Sequence, residues 1–138
     1  MRTIAATDAD VLVLTEFTPD MHVDLERRCG SSYPHRIEQV LPNPAGIAIW
    51  SRLPLRGALV PLSDRPSIDA HLDVHGTSVR LIGVHTEPPT MRARAWSREL
   101  RDIGDLATDA DLVVGDFNAA RWHPSFRRLL ARGWTTAH

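Results

Sequence analysis

The stretch Asp111-Leu112-Val113-Val114-Gly115-Asp116-Phe117-Asn118 decides how this chain is read. An apolar run ends in a glycine, and a carboxylate and a carboxamide follow two residues apart. Strand side chains alternate, so the pattern puts Asp116 and Asn118 on one side and Phe117 on the other. Val113 and Phe117 are then expected in a core, with an acid and an amide at its mouth. Gly115 would let a ligand approach the backbone. The arrangement suits phosphate chemistry, although an acid and an amide after a glycine are also what an ordinary turn contains.

Other strand ends carry polar groups of the same kind. Residues 11–14 form a short apolar run suited to a buried strand, and Glu16 follows it. Residues 79–85 alternate, with Val79, Leu81 and Gly83 on one face and Arg80, Ile82 and Val84 on the other, ending in His85. Between these lie predicted strands at 37–41, 46–50, 55–62 and 67–75, the last returning through a hairpin turn at His75-Gly76-Thr77. Residues 2–9 read as the tail of a helix. Pro19 opens a helix carrying Met21, Leu25 and Cys29 and stopped by Gly30. Residues 90–107 place Trp96, Leu100, Ile103 and Leu106 at helical spacing, with Arg92, Arg94, Arg98 and Arg101 as a solvated face. A helix at 124–131 ends at Gly133, and a last short strand is expected at Trp134. The result is a mixed α/β pattern with antiparallel hairpins in the middle, not the alternating βαβ chain of a dinucleotide-binding fold.

Composition narrows the function classes. The 138 residues fit one domain, with a hydrophobic fraction of 43% and a formal net charge of -1. That charge gives no overall pull toward nucleic acid or anionic lipid. All sixteen basic residues are arginine, a bias that codon composition explains. The single cysteine, Cys29, excludes an internal disulfide and a multi-cysteine metal site. No apolar stretch reaches the ~18 residues of a membrane span, and a cytoplasmic location is the expectation.

If the sheets bring the three strand ends together, one mouth holds Glu16, His85, Asp116 and Asn118. Magnesium is typically held by one or two carboxylates plus substrate phosphate, a role that Glu16 suits. Asp116 can orient or deprotonate a water, while His85 and Asn118 donate hydrogen bonds to phosphoryl oxygens. Each also has a plainer reading: a solvated strand-end glutamate, a polar histidine at a sheet edge, a pair of turn residues. His22, His35, His71, His75, His123 and His138 show no paired spacing and read as surface or turn residues.

Four segments taken in order resemble the endonuclease/exonuclease/phosphatase (DNase I-like) superfamily. Val11-Leu12-Val13-Leu14-Thr15-Glu16 is similar to its metal-glutamate strand, and Gly46-Ile47-Ala48-Ile49-Trp50-Ser51-Arg52-Leu53-Pro54 to its G-x-x-I-x-S-R-x-P strand and turn. Val84-His85-Thr86-Glu87-Pro88-Pro89 resembles its active-site histidine strand. Gly115-Asp116-Phe117-Asn118-Ala119 matches its G-D-F-N signature. The segment His123-Pro124-Ser125-Phe126, with Trp96 before it, is most like bacterial members of unknown substrate. Many of those carry N-terminal membrane helices that this sequence lacks. The resemblance implies a four-layer α/β/β/α sandwich that cleaves phosphoester bonds with Mg²⁺ or Mn²⁺. It implies Glu16 as the metal ligand, His85 as a transition-state-stabilising donor, Asp116 as the residue positioning water and Asn118 as a phosphate contact. The substrate would be a phosphodiester or phosphomonoester, in nucleic acid or in a lipid or inositol phosphate.

The sequence also departs from that pattern. The family begins with a strand bearing an Asn and ends with a second Asp and a Ser-Asp-His segment. Here no Ser-Asp precedes His138, so the catalytic histidine is not assigned to it. The expectation is a single, partial domain with an incomplete second sheet and an uncovered edge that favours self-association. Loss of a catalytic histidine typically removes ~10²–10⁴-fold of rate, so the alternatives are an inactive truncated remnant or a fragment that binds a partner.

Overall fold

The computed structural model describes residues 8–62 and 65–137. Its layers follow from strand alternation. In β3 (Ile47–Ser51) every residue is buried, with Ile47 and Ile49 in one apolar cluster and Ala48 and Trp50 in another. Two antiparallel neighbours, β1 (Val11–Thr15) and β2 (His35–Gln39), flank it in a sheet of order β1-β3-β2. Helix α1 (Pro19–Cys29) covers the outer face with Leu25 fully buried and Met21 and Cys29 half-buried. Its start is set by Pro19 in the first turn and by the Met21 N–H donating to the Thr18 hydroxyl at 3.4 Å.

The second sheet has the order β4-β5-β6-β7. Strands β4 (Leu55–Leu62), β5 (Arg65–Val74) and β6 (Thr77–His85) run antiparallel, and β7 (Leu112–Asp116) joins β6 in parallel. Parallel neighbours need a crossover, which helix α2 (Pro89–Leu106) supplies. Its buried face of Trp96, Leu100 and Ile103 packs with α3 (Pro124–Leu130) on Ile82 and Val84. The backbone leaves helical geometry at Arg92 (φ -146, ψ 68), which kinks α2 after its first turn.

Face to face, the sheets bury Ile47, Ile49, Ile68, Ala70, Leu72 and Leu81 between them. Each large aliphatic side chain there contributes about 1.5–3 kcal/mol by leaving water. The architecture is therefore α/β/β/α, as the family resemblance implied. The faces assigned to residues 79–85 also hold, with Leu81 between the sheets and Ile82 and Val84 under the helices.

Several expectations are corrected. No strand forms at Trp134; its N–H donates to the Leu130 carbonyl at 3.1 Å and its ring packs against the helix-side core. The strand expected at 37–41 runs two residues earlier. Residues 8–9 are not helical, and the rest of the helix predicted at 2–9 lies outside the described residues, as does His138. Among the described residues β7 pairs with β6 alone, and although register with Leu81 puts Leu112 and Val114 on the inter-sheet face, they are 48% and 39% exposed.

Gly115 serves a different purpose from the one expected. At φ +145 it occupies a conformation that other residues rarely adopt, and a Cβ there would lie 1.8 Å from the Val84 carbonyl oxygen. The missing side chain admits strand β6 rather than a ligand. Gly115→Ala should destabilise the fold by about 2–3 kcal/mol in urea unfolding. An unchanged midpoint would refute this register.

Candidate active site

Glu16 is placed by the residues that follow it. Phe17 is fully buried, its N–H donates to the Gly46 carbonyl at 3.0 Å, and its carbonyl accepts from Leu41 at 3.1 Å. A Cβ on Gly46 would stand 2.2 Å from the Phe17 oxygen, so only glycine allows this approach. Between β1 and this anchor Glu16 turns through φ 55, a left-handed conformation uncommon for a residue with a side chain. Its carboxylate is exposed and lines an open depression of about 510 Å³ with Thr18, Asp20, Asn43 and Pro44.

His85 and Asp116 sit opposite each other at the carboxyl ends of β6 and β7. Both project from the inter-sheet face, toward the layer that carries Glu16. Asn118 does not follow Asp116 by strand alternation as predicted, because the strand ends at Asp116 and Asn118 adopts φ 45. A local turn joins them instead: the Asn118 N–H donates to Asp116 Oδ1 at 2.8 Å, and Asn118 Nδ2 donates to the Thr86 carbonyl at 2.8 Å. Asp116 itself returns a backbone bond, accepting from the Thr86 N–H at 2.9 Å. Phe117 turns away and meets Phe126 at 5.4 Å between ring centroids. Two of the four non-glycine residues with positive φ among those described, Glu16 and Asn118, are thus site residues, and such strain concentrates where function over-determines the backbone.

The His85 ring is 4% exposed and lies against Arg65, whose Nη1 is 3.1 Å from Nδ1 and 3.2 Å from Nε2. Arg65 also pairs with Glu87 at 3.1 Å and donates to the Pro44 carbonyl at 3.0 Å. Burial pushes the imidazole below its usual range, and the Arg65 charge adds to this, against the opposing pull of Asp116, Glu16 and Glu87. Behind the ring the Glu87 N–H donates to buried Glu99 at 2.8 Å, fastening the end of β6 to α2. Thr86 Oγ1 is buried without a hydrogen-bond partner among the described residues.

Sequence reasoning missed Arg65 and Glu87, whose places depend on long-range pairing. It also read His123 as a surface or turn residue. His123 Nδ1 accepts from the Ala120 N–H at 2.8 Å and its ring meets Trp96 edge-on at 5.1 Å, closing the loop after Asn118. The Ser51-Arg52 signature is structural: the buried Ser51 hydroxyl donates to the Leu53 carbonyl and accepts its N–H, making the turn into β4. Arg92, Arg94, Arg98 and Arg101 are exposed, as predicted. A larger hollow of about 880 Å³ runs along β7 and the end of α2 and holds none of the site residues.

Residues 1–137 match the Endonuclease/Exonuclease/phosphatase family. The chain belongs to that family. Its members are hydrolases acting on phosphoester bonds. Solved structures carry the same fold. Sphingomyelinase C from Streptomyces griseocarneus aligns over 96% of this chain and 61% of its own, with 20% identity and a TM-score of 0.70. A humanized D. rerio TDP2 aligns over 93% and 56% (18%, 0.77), and the human Nocturnin catalytic domain over 92% and 58% (21%, 0.72). The chain therefore spans about three-fifths of the length of these relatives. A comparison with curated proteins returned no match. Among the described residues no helix is long and apolar enough to cross a membrane.

The depressed His85 pKa fixes a pH dependence. The unfolded chain takes up this proton first as pH falls through about 6.5, so stability from the neutral ring is complete above that pH. It is lost as pH drops toward the lower folded-state value. Thermal melts should show Tm falling on acidification more steeply in the native chain than in His85→Asn. Equal slopes would refute a buried neutral ring.

Proposed function

We propose that Glu16, His85, Asp116 and Asn118 form the phosphate-facing part of a metal-dependent phosphoesterase. The observation that carries this reading is the meeting of His85 and Asp116 across β6 and β7, facing the layer that bears Glu16. The donor set suits a hard cation. Among the described residues no group of three or more His, Cys, Asp and Glu forms a closed cage, and Mg²⁺ or Mn²⁺ needs only one or two carboxylates, with water and substrate oxygens completing the shell. Glu16 would hold that ion, which when bound polarises the phosphoryl oxygens and neutralises developing charge.

The hydrogen bonds at the site support a role for each remaining residue. Asp116 has Oδ1 engaged by the Asn118 N–H, leaving Oδ2 to orient an attacking water. Asn118 gives one amide hydrogen to Thr86, and its other hydrogen is available to a phosphoryl oxygen. His85, held neutral, carries one N–H to donate as negative charge builds on a phosphoryl oxygen. The substrate is a phosphodiester or phosphomonoester, from nucleic acid or from a lipid or inositol phosphate. We place the protein in the cytoplasm.

Purified protein should hydrolyse bis(p-nitrophenyl) phosphate only with Mg²⁺ or Mn²⁺. Asp116→Ala should lower kcat/KM by about 10²-fold or more, and Glu16→Gln should raise the metal concentration needed for half-maximal rate. Activity that survives Asp116→Ala would sink the assignment. A well-folded but inert native protein would favour a second reading, an inactive remnant or partner-binding fragment, for which exposed Leu112 and Val114 on the β7 edge are the motivating observation. That edge would pair with a second copy of the chain. Sedimentation velocity should then show concentration-dependent dimers that Val114→Lys abolishes; a monomer at all concentrations would count against pairing.

A further inference from the structure

We infer that Arg65 is a positioning residue that fixes the distance between the two halves of the site. It grips His85 on one sheet and the Pro44 loop on the other. Its chemical meaning rests on the phosphoesterase reading, but its geometry does not.

Arg65 opens β5 in the four-stranded sheet, and its side chain is only 12% exposed. Two of the three guanidinium nitrogens, Nε and Nη1, hold its neighbours. Nε donates to Glu87 Oε1 at 3.1 Å, and Nη1 donates to the Pro44 carbonyl at 3.0 Å. The other Nη1 hydrogen faces the His85 ring, nearly equidistant from both nitrogens at 3.1 and 3.2 Å. A donor equidistant from two ring nitrogens cannot lie along the in-plane lone pair of either. Arg65 therefore presses on the ring face and leaves both in-plane directions for the ring proton and the substrate.

Pro44 belongs to the other half. It walls the depression that Glu16 lines, and two residues later Gly46 accepts the Phe17 N–H. A shift of the Pro44 loop is thus passed through Gly46 and Phe17 to Glu16. The three acceptors lie in different directions, which a planar fork satisfies and a lysine ammonium on a flexible stem does not. Around the ring, the charged groups are Arg65 from β5, Asp116 from β7, Glu16 after β1 and Glu87 after β6. The competing explanation is a half-buried Arg65–Glu87 pair that only stabilises the fold.

The test compares the full chain with Arg65→Gln, Arg65→Lys and Glu87→Gln by ¹⁵N NMR titration of the His85 ring, and by kinetics on bis(p-nitrophenyl) phosphate with Mg²⁺. In Arg65→Gln the His85 midpoint should move upward and its ring nitrogen shifts should change. The kcat should fall about 10- to 100-fold with KM within about twofold. Arg65→Lys should keep the midpoint near native while kcat stays low, because the charge returns without the fork. If Arg65→Gln loses its native NMR dispersion, Glu87→Gln replaces it; loosening the same guanidinium should shift the same ring signals. Unaltered His85 signals in the folded variant would overturn the inference, as would a loss confined to KM, which would make Arg65 a substrate contact. An inert native protein would defeat the phosphoesterase reading alone, and the NMR comparison would still decide the positioning role.

Discussion

Ile49 of β3 lies where a Cβ on Gly83 of β6 would come within 3.3 Å of its Cδ1, and this contact measures how closely the two sheets approach. The apolar seam around it is non-directional, so it sets the separation of the layers without specifying what happens at their ends. Directional bonds take over at the mouth. Phe17 with Gly46 aims Glu16 from one layer, and the β6–β7 register aims His85 and Asp116 from the other. Shared between two sheets, the site inherits its rigidity from their packing.

The burial of His85 shows how packing becomes chemistry. A histidine at a sheet edge would be solvated and titrate normally. Here the opposing sheet and Arg65 exclude water from the ring, and the same desolvation that disfavours its charge strengthens any hydrogen bond it makes. The charges of Asp116, Glu16 and Glu87 oppose that depression.

Much of this was legible in the sequence. Period-two alternation in 79–85 gave the two faces of β6, each of which packs in a different apolar cluster. The spacing of Trp96, Leu100 and Ile103 gave α2. Glu16, His85 and Asp116 each end an apolar strand, a weak signal for any one of them, and their order along the chain is what singled them out. The failures are equally physical. The reason for Gly115 was misread because the steric demand comes from Val84, thirty-one positions away in sequence. Asn118 reaches the site through a turn that strand periodicity does not describe. Trp134 carries a strand-like residue type but spends its N–H on a helix end. Arg65 touches Pro44 from one segment and His85 and Glu87 from another, and no local pattern encodes such a meeting.

The parallel join between β6 and β7 bears on how the molecule comes apart. Asp116 reaches His85 only after residues 86–111 have closed a long crossover, a costly contact in chain entropy. Within the described residues β7 is held along a single edge, by β6. A strand bonded on one side is the natural place for local opening. The acid would then part from the imidazole while both cores stay intact, so the meeting of these two residues has a lower thermal ceiling than the fold that carries it.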